Sequence, residues 1–142
     1  MAKRILLVDD EIHIIRAAEF RFRRLGYEVL YAMDGEEAWS LVQRYLPHVV
    51  VTDCQMPRLD GLGLAARMQG TASTMDIPVV MLSAKGFELS PAEIHEQFGI
   101  VALLPKPFSP RELARCVEEI LASRSMNQLG QATNHYAPLL PI

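Results

Sequence analysis

Short apolar runs alternate with stretches of helical period along most of the chain. Ile5–Val8, Glu28–Ala32, Val49–Thr52, Val79–Leu82 and Val101–Leu104 are brief and rich in branched aliphatic residues, and they predict five strands. Three of them are almost wholly apolar, which predicts strands buried on both faces of a parallel sheet. Between them, apolar positions recur every three or four residues. The stretch from about Glu11 to Leu25 puts Ile15, Ala18, Phe22 and Leu25 on one face, with Gly26 as its stop. The next opens at Asp34 with Glu37 three residues on, a capping box, and turns Ala38, Leu41, Val42 and Tyr45 inward. A third helix falls near Gly61–Gly70, where two early glycines weaken the helical propensity. The fourth opens Ser90-Pro91-Ala92-Glu93 and closes before Gly99. The fifth opens Ser109-Pro110-Arg111-Glu112 and continues through Leu113, Val117 and Leu121. Both place a serine cap, a proline at the first helical position and a glutamate at the third.

Strict alternation of five strands with five helices predicts a doubly wound α/β sandwich with right-handed crossovers. In such folds ligands bind outside the carboxyl ends of the strands. The pattern ends near Ala122, so residues 1–122 read as one domain and 123–142 as a C-terminal tail or linker stub. That tail carries one Lys, Arg, Asp or Glu, Arg124, and finishes Tyr136-Ala137-Pro138-Leu139-Leu140-Pro141-Ile142. A flexible tail is its plain reading. The sharper one is an apolar clamp that packs on a partner or on a second copy of the chain.

Composition narrows the class. Within 142 residues, 50% are apolar and 22% charged, the balance of a globular domain rather than a disordered chain. A formal charge of −3 argues against a protein whose main task is gripping phosphate backbones. Cys54 and Cys116 are too few for a disulfide scaffold. No apolar run approaches the 18 or so residues of a membrane span. The opening Ile5-Leu6-Leu7-Val8 stops at Asp9-Asp10-Glu11, unlike a signal peptide core. The expectation is a cytoplasmic domain.

The strand ends hold the chemistry. Strand one ends in Asp9-Asp10-Glu11, strand three in Thr52-Asp53, strand four in Ser83-Ala84-Lys85 and strand five in Pro105-Lys106-Pro107. Crowded together, Asp9, Asp10 and Asp53 repel one another and demand a cation. Oxygen ligands without His or Cys favour a hard ion such as Mg²⁺. Lys106 adds a second positive charge, and Ser83 a donor that can reach a phosphoryl oxygen. Phosphoryl transfer needs little more than an in-line nucleophile and cations where charge develops. Singly, each residue has an ordinary reading as a turn, cap or surface position; the constellation carries the weight. Elsewhere, Arg16, Arg21, Arg23 and Arg24 read as a solvated face or as a docking surface for an acidic partner. Trp39 reads as packing and Cys54 as a small residue turned from the site. His13, His48, His95 and His135 are scattered.

Four segments together resemble a receiver domain of the two-component response regulators. They are Ile5-Leu6-Leu7-Val8-Asp9-Asp10-Glu11, Val51-Thr52-Asp53-Cys54-Gln55-Met56-Pro57-Arg58-Leu59-Asp60-Gly61, Val80-Met81-Leu82-Ser83-Ala84 and Leu104-Pro105-Lys106-Pro107-Phe108. The resemblance spans roughly residues 3–122. It implies a flavodoxin-like, five-stranded parallel sheet in the order 2-1-3-4-5, and a switch rather than a turnover enzyme. It implies that Asp53 accepts a phosphoryl group from a phosphohistidine on a histidine kinase or histidine phosphotransfer protein. Mg²⁺ would be held by Asp10 and Asp53 directly, by Asp9 through water, and by the backbone carbonyl of Gln55. Lys106 would pair with Asp53 and then with the phosphoryl group, which Ser83 would also bind. Lys106-Pro107 becomes a candidate cis peptide, although sequence allows either isomer. A downstream effector protein or domain is the implied reader, a homodimer is possible, and neither nucleic acid nor membrane is bound directly.

One departure stands out: Leu103 occupies a position where the family commonly has Tyr or Phe, and a leucine has no hydroxyl or ring to present. Gln55 and Lys85 sit where side chains can flank the phosphoryl group. A degenerate receiver acting only as a protein-interaction module is the alternative. A haloacid-dehalogenase-type phosphatase would want a second Asp two residues beyond the nucleophile, where this chain has Gln55.

Overall fold

The computed structural model describes residues 2–83, 91–128 and 140–141. In chain order the elements are β1 (Arg4–Val8), α1 (Ile12–Arg24), β2 (Glu28–Ala32), α2 (Gly35–Tyr45), β3 (Val49–Asp53) and α3 (Gly61–Gln69). They continue as β4 (Val79–Ser83), α4 (Pro91–Phe98), β5 (Ile100–Pro105), α5 (Pro110–Gln128) and β6 (Leu140–Pro141). All strand pairs are parallel, in the order β2-β1-β3-β4-β5-β6. The expected 2-1-3-4-5 sheet with five helices is therefore present, extended by one short strand.

Alternation along the strands divides the interior in two. Ile5 and Leu7 of β1 join Val49 and Val51 of β3 under Ala18 and Phe22 of α1 and Leu113 and Val117 of α5. Leu6, Val8 and Val50 point the other way, against Ala38 and Val42 of α2, Leu64 and Met68 of α3, and Ile94 of α4. A strand that faces helices on both sides has no polar face to show, which explains the unbroken apolar runs.

Caps follow the chemistry of the sequence. Asp34 accepts the Glu37 N–H at 2.8 Å while Glu37 accepts the N–H of Met33, one residue before the cap, at 3.0 Å; Ser109 Oγ accepts the Glu112 N–H at 3.1 Å and Glu112 accepts the Ser109 N–H at 2.9 Å. Asp60 caps α3 through the Gly63 N–H at 2.7 Å, so the third helix forms despite its glycines. The proposed cap Ser90 lies outside the described residues.

Three features depart from the sequence pattern. Leu25, expected on the core face of α1, is 46% exposed. It sits at the helix C-cap, where Gly26 at φ 92° turns the chain, and Tyr27 covers Phe22 instead with ring centroids 5.1 Å apart. Helix α5 runs beyond Ala122 to Gln128, since no glycine or proline interrupts 123–128 and Arg124 donates to the Asp76 carbonyl. Within the tail, Leu140 and Pro141 pair with Ala102 and Leu103 of β5. A proline is tolerated there because β6 is an edge strand.

The loop between β3 and α3 is held from two sides by close backbone approach. A methyl group on Gly35, at the start of α2, would lie 1.9 Å from the Leu59 carbonyl oxygen. One on Gly61 would lie 2.2 Å from the carbonyl oxygen of Asp53. Gly35→Ala should therefore destabilise the fold by about 1–3 kcal/mol, the usual range for overpacking. Urea unfolding checks this: the midpoint should fall at unchanged m-value, and a loss under about 0.5 kcal/mol would show that the loop yields freely.

Candidate functional site

Register alone brings two acids together. Val8 pairs with Thr52 across β1 and β3, so the next residues, Asp9 just beyond β1 and Asp53 at the end of β3, stand side by side. The Asp9 N–H donates to the Ala32 carbonyl at 3.2 Å, fixing the chain before it turns into α1. Asp9 is 1% exposed, Asp53 is 9%, and Asp10 projects into solvent. One carboxylate oxygen from each of the three lies within 4.8 Å of the others. Among the described residues this is the group of acidic, His or Cys side chains that could hold a metal ion, and no histidine belongs to it.

Each buried acid is partly satisfied by the backbone. Asp9 Oδ1 accepts the Glu11 N–H at 2.9 Å, and Asp53 Oδ1 accepts the Cys54 N–H at 2.8 Å. Lys106 reaches the cluster from beyond β5, across the end of β4, and the Lys106-Pro107 bond is cis. Its ammonium lies 3.1 Å from Asp9 Oδ2, 3.4 Å from Glu11 Oε1 and 3.5 Å from Asp53 Oδ1. The first two contacts are hydrogen bonds.

The charges do not balance. Four carboxylates, Asp9, Asp10, Glu11 and Asp53, gather around one ammonium. Unit charges 4 Å apart interact by roughly 4 kcal/mol at an effective dielectric constant near 20, so one cation leaves a large residual repulsion. Asp9 and Lys106 are both shifted from their ordinary values, in each case with burial as the largest influence. Burial, assisted by the charge of Asp53, holds the Asp9 carboxyl above its usual range despite its bonds to Glu11 and Lys106. Burial works to lower Lys106, yet its hydrogen bond to Asp9 and the charges of Asp9 and Asp53 keep it above the ordinary lysine value. The lysine thus stays charged at neutral pH and the site stays short of positive charge. A set of oxygen donors with a net negative charge suits a hard divalent cation.

The remaining expected site residues fall as follows. Ser83 is the last residue of β4, paired with Pro105, and its side chain lies outside the described residues, as does all of Lys85. Gln55 is exposed two residues beyond Asp53. Leu103 is half-buried in β5 and packs against the core on the α2–α4 side. Cys54 is half-buried against the same core, and burial together with the charges of Asp60 and Asp53 pushes its thiol up, away from reactivity. Trp39 also packs there. On α1, Arg16 and Arg23 both bind Glu19, at 2.9 Å each, and the guanidinium of Arg24 lies over the ring of Phe20. A hollow of about 490 Å³ opens beside Lys106, lined among others by His13, Ile14, Ala17, Pro107 and Phe108.

Similarity to known proteins agrees with this geometry. The family model for the response regulator receiver domain matches residues 5–118. The chain belongs to the response regulator receiver family. It is 41% identical over 119 residues to a probable transcriptional regulator, ycf27, of Cyanophora paradoxa, covering 84% of this chain and 48% of that protein. It is 36% identical over 121 residues to the alkaline phosphatase synthesis transcriptional regulatory protein of Bacillus subtilis, covering 85% and 49%. The chain thus spans about half the length of these curated relatives. Among solved structures, a chemotaxis response regulator of Vibrio cholerae superposes with a TM-score of 0.75 at 27% identity, covering 84% of this chain and 99% of that one. The receiver domain of a Pseudomonas aeruginosa sensor histidine kinase, solved with a magnesium ion in its active-site cleft, gives 0.74 at 28%, covering 86% and 99%. Phosphorylation of an aspartate with Mg²⁺ is the general mechanism of the family. Among the described residues of this receiver, no helix is long and apolar enough to cross a membrane.

Sequence reasoning named every acid in the cluster but missed the Glu11–Lys106 contact. A signal was available: Glu11 directly follows the aspartate pair, at a helix N-cap where glutamate is a poor choice.

The raised pKa of Asp9 sets a sign. The folded state binds that proton more tightly than the unfolded chain, so the stability it contributes is present below the unfolded value of 3.8 and lost as pH rises through the folded one. In metal-free buffer, Asp9→Asn should gain stability relative to wild type as pH is raised from about 4 to 7. Urea unfolding of both proteins across that range measures it; a difference that does not change with pH would contradict the electrostatic account.

Proposed function

We propose that this receiver takes a phosphoryl group onto Asp53 from a phosphohistidine and changes its affinity for a downstream partner. The observation that carries the reading is a nearly buried aspartate at the open edge of the sheet, flanked by two further acids and one ammonium. An Asp53 carboxylate oxygen attacks phosphorus, the phosphorus–nitrogen bond breaks in line, and the imidazole nitrogen keeps the electron pair and is protonated. Lys106 meets the charge that develops on the equatorial oxygens. Ser83 hydrogen-bonds the transferred group, as the family resemblance implies.

Asp10 and Asp53 would hold Mg²⁺ directly, Asp9 through water, with the backbone carbonyl of Gln55 as a further ligand. The ion would supply the positive charge that one lysine cannot. Backbone N–H groups and Lys106 keep Asp9 and Asp53 oriented for that role.

The hollow between α1 and the turn after β5 suits a histidine kinase or histidine phosphotransfer protein, because it is largely apolar and leads to Lys106. A neighbouring hollow is lined by Arg21 and Arg24 of α1. The chain catalyses only its own phosphorylation and dephosphorylation and is otherwise no enzyme. The reader is a downstream effector protein or domain, a homodimer is possible, and the compartment is the cytoplasm. The relatives that share its receiver half are named transcriptional regulators; this segment itself is assigned no direct contact with nucleic acid.

Acetyl phosphate with Mg²⁺, followed by intact mass, tests the acceptor. Wild type should gain one phosphoryl group, the gain should vanish with a chelator, and Asp53→Asn should show none. A wild type that binds Mg²⁺ and still takes no phosphoryl group from acetyl phosphate or from a phosphohistidine donor would favour the interaction-only module instead.

A further inference from the structure

The side chain of Glu11 occupies a position its fold does not require. It is the N-cap residue of α1, yet its side chain makes no cap hydrogen bond. Its backbone does the local work: the carbonyl accepts the N–H groups of Ile14 and Ile15, and its own N–H goes to Asp9. Shorter Asp, Asn, Ser or Thr would cap better there. What the longer side chain reaches instead is Lys106, with Oε1 at 3.4 Å, while Oε2 lies 3.7 Å from His13 Nε2.

The two hydrogen-bonding partners of the lysine differ in how readily they let go. The Asp9 side chain is 2% exposed, so stripping it of the ammonium would leave a buried charge uncompensated. The Glu11 side chain is 49% exposed, so water and His13 can take over when the lysine leaves. Lys106 is within 3.5 Å of Asp53 but is bonded on the Asp9 and Glu11 side. A short displacement away from Glu11 would bring it fully onto the acceptor.

We propose that Glu11 is a positioning residue, a resting-state partner that holds Lys106 back from Asp53 and is exchanged for the incoming phosphoryl group. The proposal rests on Asp53 being the acceptor. Glu11 then sets the rate at which the site charges, acting through the lysine and never touching phosphorus.

A double-mutant cycle tests it on the full chain: wild type, Glu11→Gln, Lys106→Met and the double variant, each with acetyl phosphate at saturating Mg²⁺ and followed by intact mass over hours. An exposed ion pair of this kind converts to a change of about two- to fivefold. Glu11→Gln should speed phosphorylation by that factor when Lys106 is present and leave the rate unchanged in the Lys106→Met background. Glu11→Asp, which keeps the charge but withdraws it from the lysine, should behave as Glu11→Gln does. Equal acceleration in both backgrounds would mean that Glu11 simply repels the anionic donor, and no acceleration would mean that it does not restrain Lys106; either overturns the proposal. Should Lys106→Met take up no phosphoryl group, the affinities of the same four proteins for beryllium trifluoride close the cycle at equilibrium, with the same expected and contrary results. A wild type that takes no phosphoryl group at all fails earlier, at the assignment of Asp53.

Discussion

An excess of negative charge at one edge of a parallel sheet is the constraint on which the rest of this molecule turns. Asp9 and Asp53 are neighbours because β1 and β3 pair in register, and the backbone offers no way to separate them without breaking the ladder. Their proximity is paid for by Lys106, by two backbone N–H groups and by the rigidity of the surrounding core. Among the described residues no buried side-chain polar atom lacks a partner, so the repulsion is not relieved by leaving anything unsatisfied. It is held in place, and a divalent cation would relieve it.

That arrangement depends on features remote from the charges. Gly35 and Gly61 allow α2 and the start of α3 to press against the loop that follows Asp53, where any side chain would strike backbone. Arg58, in the left-handed region at φ 72°, lies within 3.5 Å of the Asp34 carboxylate that caps α2. The turn after β5 delivers Lys106 from two strands away. The described part of the site comes from the ends of three strands, β1, β3 and β5, and the loop after Asp53 is pinned by close backbone contact, by a cap and by the Arg58–Asp34 ion pair.

Several parts of this were legible before any fold was known. Unbroken aliphatic runs at Val49–Val51 and Val79–Leu82 are the pattern of strands covered on both faces, and the serine, proline and glutamate at 109–112 open a helix by local chemistry. Asp9, Asp10, Asp53 and Lys106 were readable because each stands at the end of such a run, where an α/β sheet gathers its ligands. Leu25 misled because helical periodicity continues through a C-cap that geometry turns outward. The end of α5 misled because polar helix residues without a breaker look like the start of a tail.

Periodicity, capping residues and strand-end acids were therefore determined by the sequence itself, since each depends on neighbours a few positions apart. Tertiary structure alone decided which carboxylate the lysine holds. Lys106 and Glu11 are separated by 95 positions, and their contact follows from the parallel sheet, which brings the chain beyond β1 and beyond β5 to the same edge. It also decided that Leu140 and Pro141 pair with Ala102 and Leu103 at the edge of β5. Long-range contacts of this kind have no periodic trace, because the residues that make them are chosen by packing and not by their neighbours in the chain.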